Sequence, residues 1–334
     1  MPTVDALKAS LRLPVVAAPM FIVSNPRMVA AQCKAGIVGS FPSLNARPAE
    51  ALGQWLETID AELADYRTRH PDAAVAPYAV NLIVHHTNTR LEQDLDACVR
   101  HRVPIVITSL REPSAVVAAV HGYGGLVFHD VTTLRHARKA IAAGVDGLIL
   151  VCAGAGGHAG MLSPFALLQE VRAEYEGLVL LAGAISDGAQ VLAAQVMGAD
   201  LAYLGTRFIA TEEANAAPEY KRMLVEHTSA DIVYTSTFTG VPGNYLGPSI
   251  VAAGLDPAAL PGATKEAMNF ADAGAELKDK KAWRDIWSAG QGIGGIHRVA
   301  TVAESVAELA AEYAAARRHW AARLGPSSAR LAAG

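Results

Sequence analysis

The stretch GVDGLILVCAGAGGHAGMLSP, residues 144–164, indicates both the fold and the position of a site. Its first nine residues form a largely apolar run, which is typical of a strand buried on both faces of a parallel sheet. The glycine-rich part that follows lets backbone approach a ligand closely, because glycine has no Cβ atom. His158 lies in this part and can exchange protons near neutral pH. The stretch predicts a strand leading into either an ordinary turn or a ligand loop with one acid–base group.

Seven further apolar runs alternate with helical patterns along the first 210 residues. This alternation requires a parallel sheet, and eight strands favour a closed TIM (β/α)8 barrel over a doubly wound open sheet, its main competitor. Helix starts are indicated at Ser163-Pro164 and at Asp187. The predicted strands are 13–20, 36–41, 75–83, 104–110, 125–131, 144–152, 178–185 and 199–209.

The pattern changes after residue 210. A helical start at 212–228 is followed by irregular sequence, so we expect a small, mostly helical capping domain inserted after strand eight. The amphipathic segment Val302–Leu324 then supplies the closing helix of the barrel. The predicted domains are a cofactor-binding TIM barrel, residues 1–210 plus 295–330, and a capping and substrate domain, residues 211–294.

Small and polar residues cluster at the carboxyl ends of the predicted strands, where the active site of a TIM barrel lies. This position favours a site at Gly157 and His158. The loops after strands seven and eight, Gly183-Ala184 and Gly205-Thr206, offer backbone N–H groups of the kind that bind phosphate, so a phosphate-bearing cofactor is predicted. The other strand-end candidates are Ala18-Pro19-Met20, Asn81 and Asp130, the last either a turn acceptor or a carboxylate of the site.

Composition excludes several classes of function. The 334 residues are 51% hydrophobic and carry a net charge of −4, so a large core is expected and no basic surface attracts nucleic acid. The three cysteines form no CxxC pair, and the adjacent His85 and His86 would point to opposite sides of a strand, so no metal site is predicted. No membrane span or signal peptide is recognised. We expect a cytoplasmic protein without nucleic-acid or membrane partners, and leave a homo-oligomer open.

A series of motifs, in their order along the chain, resembles the nitronate monooxygenases, formerly called 2-nitropropane dioxygenases. The resemblance extends from about residue 12 to about residue 320. It implies a TIM barrel with a small cap, non-covalently bound FMN, and oxidative denitrification of alkyl nitronates with O2. The motifs are AAPM (17–20), VNLIV (80–84), HDV (129–131), AGAGGHAG (153–160), LAGAISDG (181–188), MGADLAYLGTRF (197–208) and DIWSAGQGIG (285–294).

The resemblance implies a role for each matching residue. His158 would be the catalytic base. It would remove the α-proton of neutral nitroalkanes, which are a possible second class of substrate beside the nitronates. The cap segment 238–246 would contribute to the substrate pocket, with Tyr245 and Asp130 as candidate contacts. FMN would be bound by Ala18, Pro19, Met20, Asn81 and Gly157, its phosphate by Gly183, Ala184, Gly205 and Thr206, and one side of its ring by Trp287, Ser288, Ala289, Gly290 and Gln291.

The chain departs from the family pattern at Asp130, where one branch has a lysine. A cation there could stabilise negative charge on reduced flavin, whereas an aspartate cannot, so main-chain donors or a helix N-terminus would have to do so. The alternatives are an FMN-dependent NAD(P)H:quinone or enoyl-acyl-carrier-protein reductase on the same scaffold, a non-redox barrel enzyme with a phosphate ligand, and a ligand-binding protein without catalysis.

Overall fold

The computed structural model of the chain describes residues 3–260 and 285–324. Eight of its strands are parallel: β1 (Val15–Ala17), β2 (Gly39–Pro42), β3 (Tyr78–Val84), β4 (Ile105–Leu110), β5 (Leu126–Val131), β6 (Gly147–Val151), β8 (Leu178–Ala182) and β9 (Leu201–Leu204). A second, antiparallel sheet contains β7 (Gly157–His158), β10 (Ile232–Thr235) and β11 (Gly243–Leu246).

The eight parallel strands follow one another around a nearly closed barrel, in the order β1-β9-β8-β6-β5-β4-β3-β2. A parallel bridge between Val16 and Val38 links β1 to the segment just before β2. The TIM barrel predicted from the sequence is therefore confirmed, and the open sheet is excluded.

Helices connect these strands and cover the outside of the barrel. The predicted helix starts are confirmed: Pro164 opens one helix, and Asp187 caps another through a reciprocal pair of hydrogen bonds with Gln190. None of the helices within the described residues is long and apolar enough to cross a membrane. The helices are α1 (Val4–Ser10), α2 (Pro26–Lys34), α3 (Ala51–Arg69), α4 (Leu91–Arg100), α5 (Ser114–His121), α6 (Leu134–Ala142), α7 (Pro164–Arg172), α8 (Gly188–Val196), α9 (Thr206–Ile209), α10 (Pro218–Glu226), α11 (Gly247–Ala252) and α12 (Val302–Leu324).

Alternate side chains of the strands fill the inside of the barrel. On β5, Leu126 and Phe128 are buried in this interior cluster. Leu7 of α1 joins the same cluster, and Lys8 pairs with Asp200, which immediately precedes β9. Helix α1 therefore covers the amino-terminal end of the barrel, and a site has to lie at the opposite end.

The segment after β9 contains more strand than the sequence predicts. Besides α10 and α11, it forms an antiparallel ribbon of β10 and β11, and β11 pairs with the two-residue strand β7. The expectation of a mostly helical cap missed this ribbon. Residues 261–284 of the predicted cap, and residues 325–330 of the predicted barrel domain, lie outside the described residues. The domain boundaries stay a prediction.

The eighth barrel strand is shorter than predicted. The sequence predicts a strand over 199–209, but β9 ends at Leu204 and α9 follows. Phe208 and Ile209 of this helical turn are buried and apolar, so the apolar pattern continues beyond the end of the strand. Hydrophobic pattern alone does not separate a short buried helix from a buried strand.

The closing helix α12 packs directly on the start of α8. A Cβ atom at Gly188 would lie 2.2 Å from both the carbonyl oxygen of Leu309 and the nitrogen of Tyr313. The Gly188 N–H also donates to the carboxylate of Glu312 over 2.8 Å. Glycine is therefore required at this contact between the two helices.

We expect Gly188→Ala to lower the free energy of unfolding by about 1–3 kcal/mol, because overpacking forces the two helices apart. Gly53→Ala on α3 is the matched control. A Cβ there meets only the ring of His101, at 3.6 Å, and alanine should add about 0.5–1 kcal/mol of stability. Urea unfolding followed by circular dichroism measures both. Unchanged stability of the Gly188 variant would contradict the packing of α12 on α8.

Candidate active site

A row of polar side chains lies at the carboxyl end of the barrel interior. Asn81 of β3 donates to the Ile107 carbonyl oxygen over 3.2 Å and to Ser109 Oγ over 2.9 Å. Ser109 of β4 in turn donates to Asp130 Oδ2 of β5 over 2.7 Å. Two of the sequence candidates, Asn81 and Asp130, are thus brought together, and Ser109, which the sequence analysis missed, connects them.

Asp130 is held in this row as a side chain of the barrel, not as an acceptor in a turn. Burial raises the pKa of Asp130 to about 6, although the Ser109 hydrogen bond opposes the shift. The carboxylate also affects Tyr203 of β9. Burial, and to a smaller extent the charge of Asp130, raise the pKa of Tyr203 well above its usual value. His129 belongs to the opposite face of β5, where its Nδ1 lies 2.8 Å from Thr108 Oγ1.

His158 lies on β7, where the barrel meets the ribbon. The backbone of His158 pairs with Gly243, and that of Gly157 pairs with Asn244. Burial lowers the pKa of His158 to about 4, so its ring is neutral at pH 7. Its Nε2 lies 2.9 Å from the hydroxyl oxygen of Thr239, a residue of the predicted pocket segment 238–246 that the sequence analysis did not single out.

Thr239 also predicts a tautomer for His158. Its hydroxyl donates to the Val241 carbonyl oxygen over 3.1 Å. Because a hydroxyl group has one hydrogen, a Thr239 hydroxyl that donates to Val241 accepts from Nε2–H of His158, which predicts that the basic lone pair of the ring is on Nδ1. The same hydroxyl also acts on Tyr245. A hydrogen bond with Thr239 lowers the pKa of Tyr245, although burial raises that pKa by more.

Three loops meet the segment 287–291 beside this histidine. The Gly154 carbonyl oxygen accepts from the nitrogen atoms of Gln291, over 2.9 Å, and Ala184, over 3.3 Å. The Gly290 N–H donates to Thr206 Oγ1 over 2.9 Å. The loops after β6, β8 and β9 and the predicted ring-closing segment are therefore assembled in one place.

Close backbone contacts shape this assembly. A Cβ at Gly156 would lie 2.8 Å from the Gly290 nitrogen, so the loop after β6 tolerates no side chain there. Gly157 is the opposite case: its φ is +69°, and a Cβ would meet no described atom within 4 Å. Gly205 adjoins the end of β1, since its Cβ would lie 3.5 Å from Ala18 Cβ and 3.7 Å from Met20 Sδ.

Two predicted contact residues pack against other aromatic rings. Trp287 stacks on Tyr220 of α10, with ring centroids 5.0 Å apart. Tyr245 is fully buried and packs edge to face against Phe238 at 5.0 Å. Tyr245 is therefore positioned to act on the site through Thr239, and its role as a substrate contact stays a prediction.

The expected separation of His85 and His86 is wrong. Both follow the end of β3, where strand alternation no longer applies, and their ring centroids lie 4.3 Å apart. The Nδ1 atom of His85 lies 2.8 Å from Thr87 Oγ1.

We expect His158 to remain neutral, with its proton on Nε2, between pH 6 and pH 8. The physical reason is burial together with the Thr239 acceptor. Long-range ¹H–¹⁵N spectra report the tautomer. Thr239→Val should abolish the tautomer preference, whereas Thr235→Val, which removes a hydroxyl 2.8 Å from Thr237 Oγ1 in the same loop, should preserve it. An Nδ1–H tautomer in the unaltered protein would contradict the assignment.

Comparisons with known proteins identify relatives in sequence and in fold. A nitronate monooxygenase of Paraburkholderia phytofirmans is 28% identical over 90% of this chain and 92% of its own. A nitroalkane oxidase of Streptomyces ansochromogenes, 26% identical, matches with a TM-score of 0.76 over 94% of this chain and 99% of its own. A mutant of FabK from Thermotoga maritima, 22% identical, shares the fold with a TM-score of 0.76 over 97% of this chain and 100% of its own.

The protein-family model that describes nitronate monooxygenases matches residues 5–312, which include the barrel, the row of polar side chains and the loop of His158. The chain therefore belongs to the nitronate monooxygenase family and is an oxidoreductase.

Proposed function

We propose that the protein oxidises alkyl nitronates, and neutral nitroalkanes after removal of their α-proton, with bound FMN and O2, to carbonyl compounds and nitrite. One observation carries the proposal: a neutral, oriented imidazole, His158, next to the open space over Gly157. A base of this kind at the mouth of the barrel is what proton abstraction from carbon requires.

The residues of the mouth fit a flat ring that carries a phosphate. Glycine at 157, with its positive φ and open surroundings, leaves room for a ring to approach the backbone. The Oδ1 atom of Asp130 is buried without a hydrogen-bond partner among the described residues, so a donor on a bound molecule, or a proton, would stabilise it. FMN, when bound, supplies the transfer of electrons from the nitronate to O2. The residues that would hold it are Ala18, Pro19, Met20, Asn81, Gly157, Gly183, Ala184, Gly205, Thr206 and Trp287 to Gln291.

His158 would perform the proton chemistry. Its burial keeps the ring in the neutral form that a base needs at pH 7. Nδ1 would take the α-proton of a nitroalkane while Nε2–H stays bonded to Thr239. The negative charge of the nitronate then stabilises the imidazolium, because opposite charges attract strongly in a poorly solvated site. A nitronate added as such needs no base.

Anaerobic addition of propyl-2-nitronate is expected to bleach the flavin absorption band of the purified protein, and NADH is expected to leave it unchanged. The competing function, an NAD(P)H-dependent quinone or enoyl-acyl-carrier-protein reductase, draws support from FabK at the level of the fold alone. Rapid bleaching by NADH and none by the nitronate would establish that alternative. A colourless protein without a flavin band would contradict both functions and favour a non-redox barrel enzyme.

His158→Asn separates the base from the redox chemistry. We expect turnover of neutral nitroethane to fall by about 10²–10⁴-fold, the usual contribution of general base catalysis. Turnover of ethyl nitronate by the same variant is the internal control and should change much less, because its α-proton is already absent. Steady-state oxygen consumption measures both substrates. If both rates fall equally, His158 acts in binding and not as the base.

A further inference from the structure

Within the described part of the chain, only one of the two carboxyl oxygen atoms of Asp130 has a hydrogen-bond partner. Its Oδ2 accepts from Ser109, whereas Oδ1 is inaccessible to solvent, and no donor within residues 3–260 and 285–324 reaches it. A buried carboxylate oxygen without a partner is costly, because no interaction offsets the loss of water. A proton on the carboxyl group or a donor on a bound molecule removes that cost.

The groups that face Asp130 leave its charge uncompensated. Ser109 of β4 and Asn81 of β3 are neutral, and β6 contributes apolar side chains. Tyr203 of β9 stays protonated, because burial raises its pKa well above the usual value. His129, on the other face of β5, is neutral at pH 7, because burial lowers its pKa to about 4. No cationic side chain of the described residues contributes to the shift of the Asp130 pKa.

Resting on the proposed function, we propose that Asp130 balances charge in the barrel mouth by taking up a proton when the bound flavin becomes anionic. Its pKa of about 6 places the group near the boundary between its two forms before any negative charge arrives. A nearby negative charge raises the pKa of a buried carboxyl further, so the proton is taken up at neutral pH. His158 is neutral and does not supply this charge.

The step balances as follows. Two electrons from the nitronate, taken up with one proton, would leave the bound flavin with one negative charge. A second proton from solvent binds to the Asp130 carboxylate and makes it a neutral acid. The mouth therefore keeps the same net charge. When O2, the oxidant of the proposed reaction, takes up the two electrons and the proton that accompanied them, the negative charge would be removed and Asp130 would return its own proton to water. The chain achieves with a titrating carboxyl group what a lysine achieves with a fixed positive charge.

The midpoint potential of the bound flavin, measured against pH by equilibration with reference dyes, tests the proposal. Its slope counts the protons taken up per two electrons. Between the Asp130 pKa of the oxidised protein and its higher pKa in the reduced protein, we expect about two protons for the unaltered protein and about one for Asp130→Asn, which cannot titrate. Ser109→Ala should move the break in the slope to higher pH, because it removes the donor that favours the charged form. Glu170→Gln, which removes an exposed carboxylate of α7, should preserve the original slope.

Infrared difference spectra of the unaltered protein, reduced minus oxidised, provide a measurement that does not depend on how the variants fold. A band of a protonated carboxyl group should appear on reduction and shift in D2O. A slope of one proton in the unaltered protein, or a spectrum without this band, overturns the proposal. A protein that binds flavin and shows the two-proton slope but does not oxidise nitronates contradicts the proposed function alone. A protein that retains no flavin contradicts both.

Discussion

The pairing of β7 with β11 is the contact on which the candidate site depends. Two residues of the loop after β6, Gly157 and His158, form a bridge with Gly243 and Asn244 of the ribbon. The contact is tight, since a Cβ at Gly243 would lie 2.7 Å from the Gly157 carbonyl oxygen. The Asn244 side chain adds a hydrogen bond of 2.6 Å to the Ala155 carbonyl oxygen. The ribbon thus fixes the backbone that presents His158 and brings Thr239 to its ring.

Burial, more than charge pairing, sets the electrostatics of this mouth. His158 and Asp130 are both displaced toward their neutral forms, the base by a lowered pKa and the acid by a raised one, and desolvation is the largest cause in each case. The ion pair of Lys8 with Asp200, for example, lies at the other end of the barrel. In a poorly solvated mouth, a charge created by the reaction interacts strongly with nearby groups. Proton transfer to or from those groups then lowers the energy of the charge.

The sequence predicts the parts of the fold that depend on local pattern. Eight parallel strands lie within or close to the predicted apolar runs, and helices begin at Pro164 and after Asp187. Each of these features depends on a short stretch of sequence. The ribbon was missed because a two-residue strand such as β7 has no pattern of its own and exists only through its partner. Helix α9 was missed because its apolar residues, Phe208 and Ile209, continue the pattern of β9.

The candidate site divides in the same way. The strand-end rule identifies Asn81, Asp130 and His158. The alternation of side chains on β4, from Ile107 to Ser109, contains the signal that would have identified Ser109. No local signal identifies Thr239, which is 81 residues from His158 in the chain and reaches it only when the ribbon folds back on the barrel.

The aspartate at position 130 is therefore more than a departure from a family pattern. A lysine in its place would have to be desolvated in a row whose neighbours are Ser109, Asn81 and apolar side chains, and it could not accept the Ser109 hydrogen bond. An aspartate accepts that bond in both of its protonation states, so the row stays intact while the charge changes. The hydrogen-bonded row and the titrating group therefore act together. Ser109 holds the carboxyl group in place. Burial brings the pKa of this group to a range in which a single added charge decides its protonation state.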